Sequence, residues 1–366
     1  MSARSPFEVQ ELCDYMVDFL HDDPATLKTC ALICTSMVSS AQHHLFHEVQ
    51  FGNGVKWRDG GACKRFCELI TSSPHLAPLV CRVRACFTPE VLGRLGEVEL
   101  PNLRYLALFR PLKDNLASKP IQEAASLICR RPIQDLKLQD LAIQSMEDFI
   151  GLFQHRVDDL DKLTLSSIHV HFIENAPVDN PLRTPKPKLK GLSYNSVMFS
   201  HSWLADASFP FDLTALEEMD IGGAMTETWR RMLDVNRLSL RKFWINAQEV
   251  NTKFTKTPVP ATLLARLPAL QVLTIGSLGE ELNDVEILLD GIPPRHQLQL
   301  VRLMLMTRPR EDMLQHLGTA FMRFGCDVEV ALQPFYSPDS NKDDMVNLVK
   351  SALRELAEQG RLSVLS

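Results

Sequence analysis

A short apolar signature recurs nine times along most of this chain, and it restricts the fold more than any other feature. It consists of an apolar residue, two variable positions, a second apolar residue, one variable position and a third apolar residue. It occurs as Val80/Val83/Ala85, Leu103/Leu106/Leu108, Ile133/Leu136/Leu138, Leu160/Leu163/Leu165 and Leu189/Leu192/Tyr194. It continues as Leu216/Met219/Ile221, Leu240/Phe243/Ile245, Leu270/Leu273/Ile275 and Leu300/Leu303/Leu305. From Val80 to Leu300 the spacing averages about 27 residues. The last two apolar positions of each signature lie two residues apart, the period of a strand with one buried face. Between signatures, residues such as Met146, Phe149, Ile150 and Phe153, or Trp229, Met232 and Leu233, fall at helical spacing. A strand and a helix that cannot bury their apolar faces alone must stack on copies of themselves.

This period and this order of elements resemble leucine-rich repeats. The resemblance implies an α/β fold over residues 79–335, an irregular leucine-rich-repeat-like solenoid with parallel strands on one side and helices on the other. The Asn or Cys ladder of regular repeats is missing; only Asn195 and Asn246 stand near the expected place. A single irregular α/β domain is the alternative. Beyond the array, Cys326–Leu332 is expected as a strand, residues 333–341 as a loop, and Asp343–Gln359 as an amphipathic helix stopped by Gly360. Residues 336–366 are thus expected to form a capping loop and helix.

The head of the chain follows a different rule. Val9, Leu12, Met16 and Phe19/Leu20 recur at three- and four-residue steps. Asp22-Asp23-Pro24 interrupts them. Asp23 is placed to cap a second helix, and Pro24 fits its first turn because proline has no N–H to satisfy there. Leu27, Cys30, Ala31 and Cys34 form a second stripe, and Val38, Ala41 and Leu45 a third. The segments Gln10-Glu11-Leu12, Leu20-His21-Asp22-Asp23, Leu27 to Cys34 and His43-His44-Leu45-Phe46 resemble, in order, the F-box, especially its fungal type. Two positions depart from that pattern: Glu8-Val9 stands in place of Leu-Pro, and Met37 in place of Trp. Residues 1–51 are read as a three-helix docking domain and residues 52–78 as a connector with a helix.

Composition narrows the function classes. With 39 basic against 45 acidic residues, the net charge is −6. That argues against a dedicated nucleic-acid binder, which concentrates basic charge. No apolar run is long enough to span a bilayer. The segment MSARSPFEVQEL has one Arg and no apolar core, so no secretory signal is expected. Nine cysteines, most on apolar faces, suit reduced thiols in the cytoplasm or nucleus.

No chemistry-bearing motif stands out. Cys30 and Cys34 with His43 and His47, or Cys63 and Cys67 with Cys81 and Cys86, have spacings that invite a zinc reading. Core cysteines explain both groups more simply, and no metal or other cofactor is expected. Nucleophile elbow, phosphate loop and dinucleotide fingerprint are all missing. Gly52, Gly54, Trp57 and Arg58 read as a connector, and residues 180–190, NPLRTPKPKLK, as a solvated basic loop. An enzyme assembled from distant residues is the remaining alternative.

The F-box resemblance implies a non-catalytic substrate-recognition subunit of a Skp–cullin–F-box type ubiquitin ligase. It would bind a Skp-family adaptor, and through it cullin and RING subunits, by Val9, Leu12, Leu20, Leu27, Leu32, Leu45 and Phe46. A non-degradative F-box scaffold is the alternative. A target protein is expected on the strand face, where Lys137, Lys162 and Lys242 lie between the apolar positions, with Trp203 as an exposed aromatic nearby. The target itself is not legible, and neither nucleic acid nor membrane is expected as a partner.

Overall fold

The computed structural model describes residues 9–51, 60–109, 119–153, 157–172, 186–195, 203–204, 209–222, 227–246, 262–277, 282–293, 296–332 and 342–365. Glu8, Gly52, Gly54, Trp57 and Arg58 of the connector, most of the basic loop and the 333–341 loop lie outside them. The chain divides into two compact units, Met1–Pro187 and Lys188–Ser366. No helix among the described residues is long and apolar enough to cross a membrane.

The first unit opens with three helices, α1 (Gln10–Asp18), α2 (Pro24–Ile33) and α3 (Thr35–His47). Asp23 caps α2 as its position dictates: its carboxylate accepts from the backbone N–H groups of Ala25 and Thr26, each at 3.1 Å, and Pro24 occupies the first turn. Cys13, Val17, Leu27, Cys30, Met37 and Ala41 form one buried cluster, with Leu20, Ala31, Cys34 and Leu45 packed against it. Polar clasps fix α1 on α3. Ser40 donates to Asp14, and His44 Nε2 lies 2.8 Å from Asp18 Oδ1, one turn further along both helices. The Ser40 and Gln10 hydrogen bonds hold the Asp14 carboxyl below its ordinary value.

The chain continues through β1 (Glu48–Gln50), α4 (Gly60–Ser72), a 3-10 turn (Pro74–Leu79), β2 (Arg82–Cys86), α5 (Pro89–Glu97), β3 (Tyr105–Phe109) and α6 (Lys119–Cys129). It then forms β4 (Asp135–Gln139), β5 (Ala142–Ser145), α7 (Met146–Gly151), β6 (Lys162–Ser166) and β7 (His169–Phe172). Strands β1, β2, β3, β4 and β6 pair in that order, all parallel. Parallel neighbours need a crossover, and the helices supply it. Val83, Ala85, Leu106, Leu108, Leu136, Leu138, Leu163 and Leu165 are fully buried on one side of the sheet. Val91, Leu92 and Leu95 of α5 and Ala124, Leu127 and Ile128 of α6 are buried as well. Strands β5 and β7 were not legible in the signature. Asp140 and Ser167, each just past a main strand, adopt left-handed backbone (φ 55° and 53°) and turn the chain into this small second parallel sheet.

The second unit comprises β8 (Gly191–Asn195), β9 (Glu218–Gly222), α8 (Glu227–Val235), β10 (Lys242–Asn246), α9 (Thr262–Ala265) and β11 (Val272–Ser277). After these come α10 (Asn283–Asp290), β12 (Leu300–Leu305), α11 (Glu311–Met322), β13 (Asp327–Leu332), α12 (Lys342–Ala352), α13 (Arg354–Glu358) and β14 (Leu362–Leu365). Strands β8 to β14 pair in sequence order, all parallel. Their buried side carries Leu192, Tyr194, Met219, Ile221, Phe243, Ile245, Leu273, Ile275, Val301, Leu303, Val328 and Val330. Trp229 of α8 is fully buried and meets Tyr194 edge-on, with ring centroids 5.4 Å apart.

The capping loop and helix expected over 336–366 take a different form. The helix breaks at Leu353 into α12 and α13, Gly360 turns at φ 70°, and residues 362–365 add a further parallel strand, β14, beside β13. The physical reason is that RLSVL alternates at strand period and meets an unpaired sheet edge. Arg361 secures the turn by donating from Nε (3.0 Å) and Nη2 (2.7 Å) to the Cys326 carbonyl.

A buried polar knot lies just beyond α8. Asn236, just beyond α8, is 1% exposed. Its Nδ2 donates to the carbonyls of Leu213 and Met232, each at 2.8 Å, and its Oδ1 accepts from the Leu216 N–H at 2.8 Å. Asn195, by contrast, sits on the open strand face.

Candidate interaction surfaces

Two surfaces of different chemistry emerge from this framework. The first lies on the three-helix module. Cys13 and Val17 turn α1 towards the module's core, which leaves Leu12, Tyr15, Met16 and Phe19 on the opposite side of the helix. Their spacing of three, one and three residues keeps them on one face. Tyr15 is 62% exposed and Phe19 69%, and their rings meet edge-on at 4.8 Å. At the far end of α2, Leu32 is 87% exposed, and Ile33 is also exposed. Single exposed apolar residues are ordinary, but a row of large ones on one helix is not.

The residues expected to touch an adaptor divide accordingly. Leu12 and Leu32 are exposed. Val9 precedes α1 and is half-buried, and Phe46 is also half-buried. Leu20 and Leu45 are half-buried against the core cluster. Leu27 is a correction: at 1% exposure it belongs to the core, because it faces α3 across the module and no partner can reach it. Met37, at the position where the F-box pattern has Trp, is core as well. Tyr15, Met16, Phe19 and Ile33 are exposed apolar residues that the expected adaptor set leaves out. A helix whose two faces are both apolar does not disclose from its periodicity which face is inside.

The second surface is the side of each sheet that the helices leave uncovered. In the first unit, register places Glu48, Arg82, Tyr105, Asp135 and Lys162 in one row. Gln50, Arg84, Ala107, Lys137 and Thr164 form the next. Arg82 Nε donates to Glu48 at 3.0 Å, and its guanidinium lies 4.1 Å from the centre of the Tyr105 ring. Burial, with the Asp135 charge adding to it, pushes the Tyr105 hydroxyl up in pKa. Lys137 and Lys162 therefore lie on this face, both half-buried along their stems.

In the second unit, Lys242 lies on the open face and is paired with Glu218 on the neighbouring strand. Ser193 donates to Asp220 at 2.7 Å, and Asn195 Nδ2 donates to the same carboxylate oxygen at 3.0 Å. Gly222 makes room for Asn195: a β-carbon there would collide with Asn195 Oδ1. Gly276 does the same for Trp244, whose indole crosses β11 and donates from Nε1 to Met304 Sδ of β12 at 3.4 Å. Trp203 is a second correction. Expected as an exposed aromatic, it is 8% exposed and packs edge-on against Phe209 at 4.7 Å, because Phe209 and Phe211 offer it an apolar bed. Among the described residues, Trp244 is the tryptophan on the open face.

Cys63, Cys86 and Cys326 are buried, and desolvation raises their pKa, with the Cys67 hydrogen bond the first cause at Cys63. The Cys86 thiol is pushed up to about 11. Among the described residues, no three His, Cys, Asp or Glu side chains converge as metal ligands would.

A stack of parallel strands with the connecting helices packed on one side, repeated at this period in each unit, defines a leucine-rich-repeat-like α/β protein with a helical module at its head. No protein-family model matches the chain, and no curated protein matches it. Among solved structures, it is similar to the leucine-rich repeat-containing protein LegL7 from Legionella pneumophila. The two share 12% identity with a TM-score of 0.44, over 84% of this chain and 98% of that one.

Proposed function

We propose that this protein is a target receptor of a Skp–cullin–F-box type ubiquitin ligase. Helices α1 to α3 dock on a Skp-family adaptor, and the open strand faces hold the target. The observation that supports docking is the solvent-facing row Leu12, Tyr15, Met16 and Phe19, joined by Leu32 and Ile33 at the end of α2. These side chains gain most by meeting another apolar surface, at roughly 25 cal/mol per Å² removed from water. The ordered resemblance to the F-box from Gln10 to Phe46 is what points to a Skp-family adaptor as the partner. In this reading the chain does no chemistry itself. It raises the effective concentration of target lysines near a ubiquitin-charged enzyme.

Leu12→Asp and Phe19→Asp test the reading. Each places a carboxylate where docking would strip its water without offering a partner, a cost of about 3 kcal/mol or more, or roughly a hundredfold in Kd. Both residues are exposed, so the melting temperature of the free protein should stay within the range of ordinary surface changes. Pull-down with a purified Skp-family adaptor should lose most of the captured protein in each variant. Undiminished capture by both would sink the proposal. Capture without cullin-dependent ubiquitylation of any bound protein would favour a non-degradative scaffold.

A further inference from the structure

Strand β14 has β13 on one side and, among the described residues, no strand on the other. Its pairing with β13 fixes which backbone groups stay unused. The Val328 N–H donates to the Arg361 carbonyl at 2.8 Å, and Val328 stands opposite Leu362. In a parallel pair, alternate residues turn their N–H and C=O towards the neighbouring strand. Arg361, Ser363 and Leu365 therefore face β13, and Leu362 and Val364 present both groups at the outer edge. Those outward groups meet no partner among the described residues.

The side chains leave this edge open as well. Ser363 and Leu365 lie on the uncovered face of the sheet, Ser363 exposed and Leu365 50% exposed. Leu362 and Val364 lie on the helix side and are half-buried. Open edges pair with other strands unless charge, proline or a bulge blunts them. The first unit's edge strand, β1, carries Glu48. Residues 362–365 carry neither charge nor proline. Arg361 is turned back towards β13, where its guanidinium donates to the Cys326 and Phe324 carbonyls.

We infer that β14 pairs antiparallel with β14 of a second copy of this chain, about a two-fold axis at Ser363. The inference goes beyond the docking and target surfaces described above and rests on neither. In a register centred on Ser363, Leu362 stands opposite Val364 of the second copy, and Val364 opposite its Leu362. Each is a hydrogen-bonded pair that exchanges both N–H···O=C bonds, so every outward group of the edge is used. Ser363 then faces its own counterpart, with α-carbons about 4.5 Å apart. A two-fold contact sets each residue at its axis against itself, so a charge there would meet its like. Here the axis falls on a neutral hydroxyl. The apolar side chains of Leu362 and Val364 meet on the helix side. An uncharged edge selects neither an acidic nor a basic strand, whereas its own sequence fits it in backbone and in side chains.

Sedimentation equilibrium of the full chain tests this. An edge of four residues makes a weak dimer. The concentration is therefore raised to about 0.3 mM, and the average mass should climb from one chain towards two. Ser363 is exposed, so Ser363→Lys and Ser363→Glu leave the fold intact. Each sets like charges against each other at the axis and should weaken association roughly tenfold or more. An equimolar mixture of these two variants should associate again, because opposite charges then meet at the axis. Val364→Pro removes an outward N–H but no bond to β13, and it should also weaken association. A single-chain mass at every concentration would overturn the inference. So would association unchanged in both charge variants, or a mixture that associates no better than either variant alone.

Discussion

Leu136→Ala and Leu273→Ala should each cost roughly 2–5 kcal/mol of stability, the range for truncating a buried Leu. Both residues are 0% exposed, at equivalent positions of a signature in the first and the second unit. Each lies in the middle of a sheet, between Leu106 and Leu163 in one case and between Phe243 and Val301 in the other. A cavity there borders two neighbouring repeats and cannot be closed by shifting one strand. Chemical denaturation followed by circular dichroism gives the result directly. Leu238→Ala is the control, since Leu238 is 73% exposed and should change little. Equal stability of all three variants would contradict the stacked core.

Asn236→Ala should be as damaging, for a different reason. It leaves the Leu216 N–H without its acceptor and the Leu213 carbonyl without that donor, in a site closed to water. Each stranded group costs about 1–3 kcal/mol. Asn236→Asp restores the shape and the acceptor, yet points a carboxylate at the Leu213 and Met232 carbonyls, so it should not rescue. Should Asn236→Asp restore the wild-type denaturation midpoint, the proposed donor role of Nδ2 would be wrong.

These two cases mark how far the sequence could be read. The strand positions were legible because the apolar residues of a half-buried strand alternate, and all nine signatures fall on strands with their last two apolar members buried or nearly so. The cap of α2 was legible because Asp-Pro leaves few alternatives at a helix start. Asn236 was not, since an Asn beyond a helix looks like any turn former until the loop carrying Leu213 and Leu216 folds over it. Nor were β5 and β7, whose existence depends on left-handed backbone at Asp140 and Ser167, residues with no glycine to announce the turn.

The candidate surfaces divide in the same way. Leu12 and Leu32 could be picked out as docking residues, but Leu27 on the neighbouring stripe could not be distinguished from them, because apolar residues that pack and those that dock look alike in sequence. Trp203 is buried and Trp244 lies on the open face because an aromatic's exposure depends on what lies beside it: Phe209 in one case, the bare backbone of Gly276 in the other. Lys137 was legible as a face residue by alternation.

Hydrogen–deuterium exchange of the full chain, alone and with a purified Skp-family adaptor, is the most direct test of the central claim. The account predicts slower exchange over α1 and the end of α2, around Leu12, Phe19 and Leu32, while β2, β3 and β4 stay unchanged. A mixture in which the adaptor leaves α1 and α2 unprotected, or protects the strands instead, would contradict it.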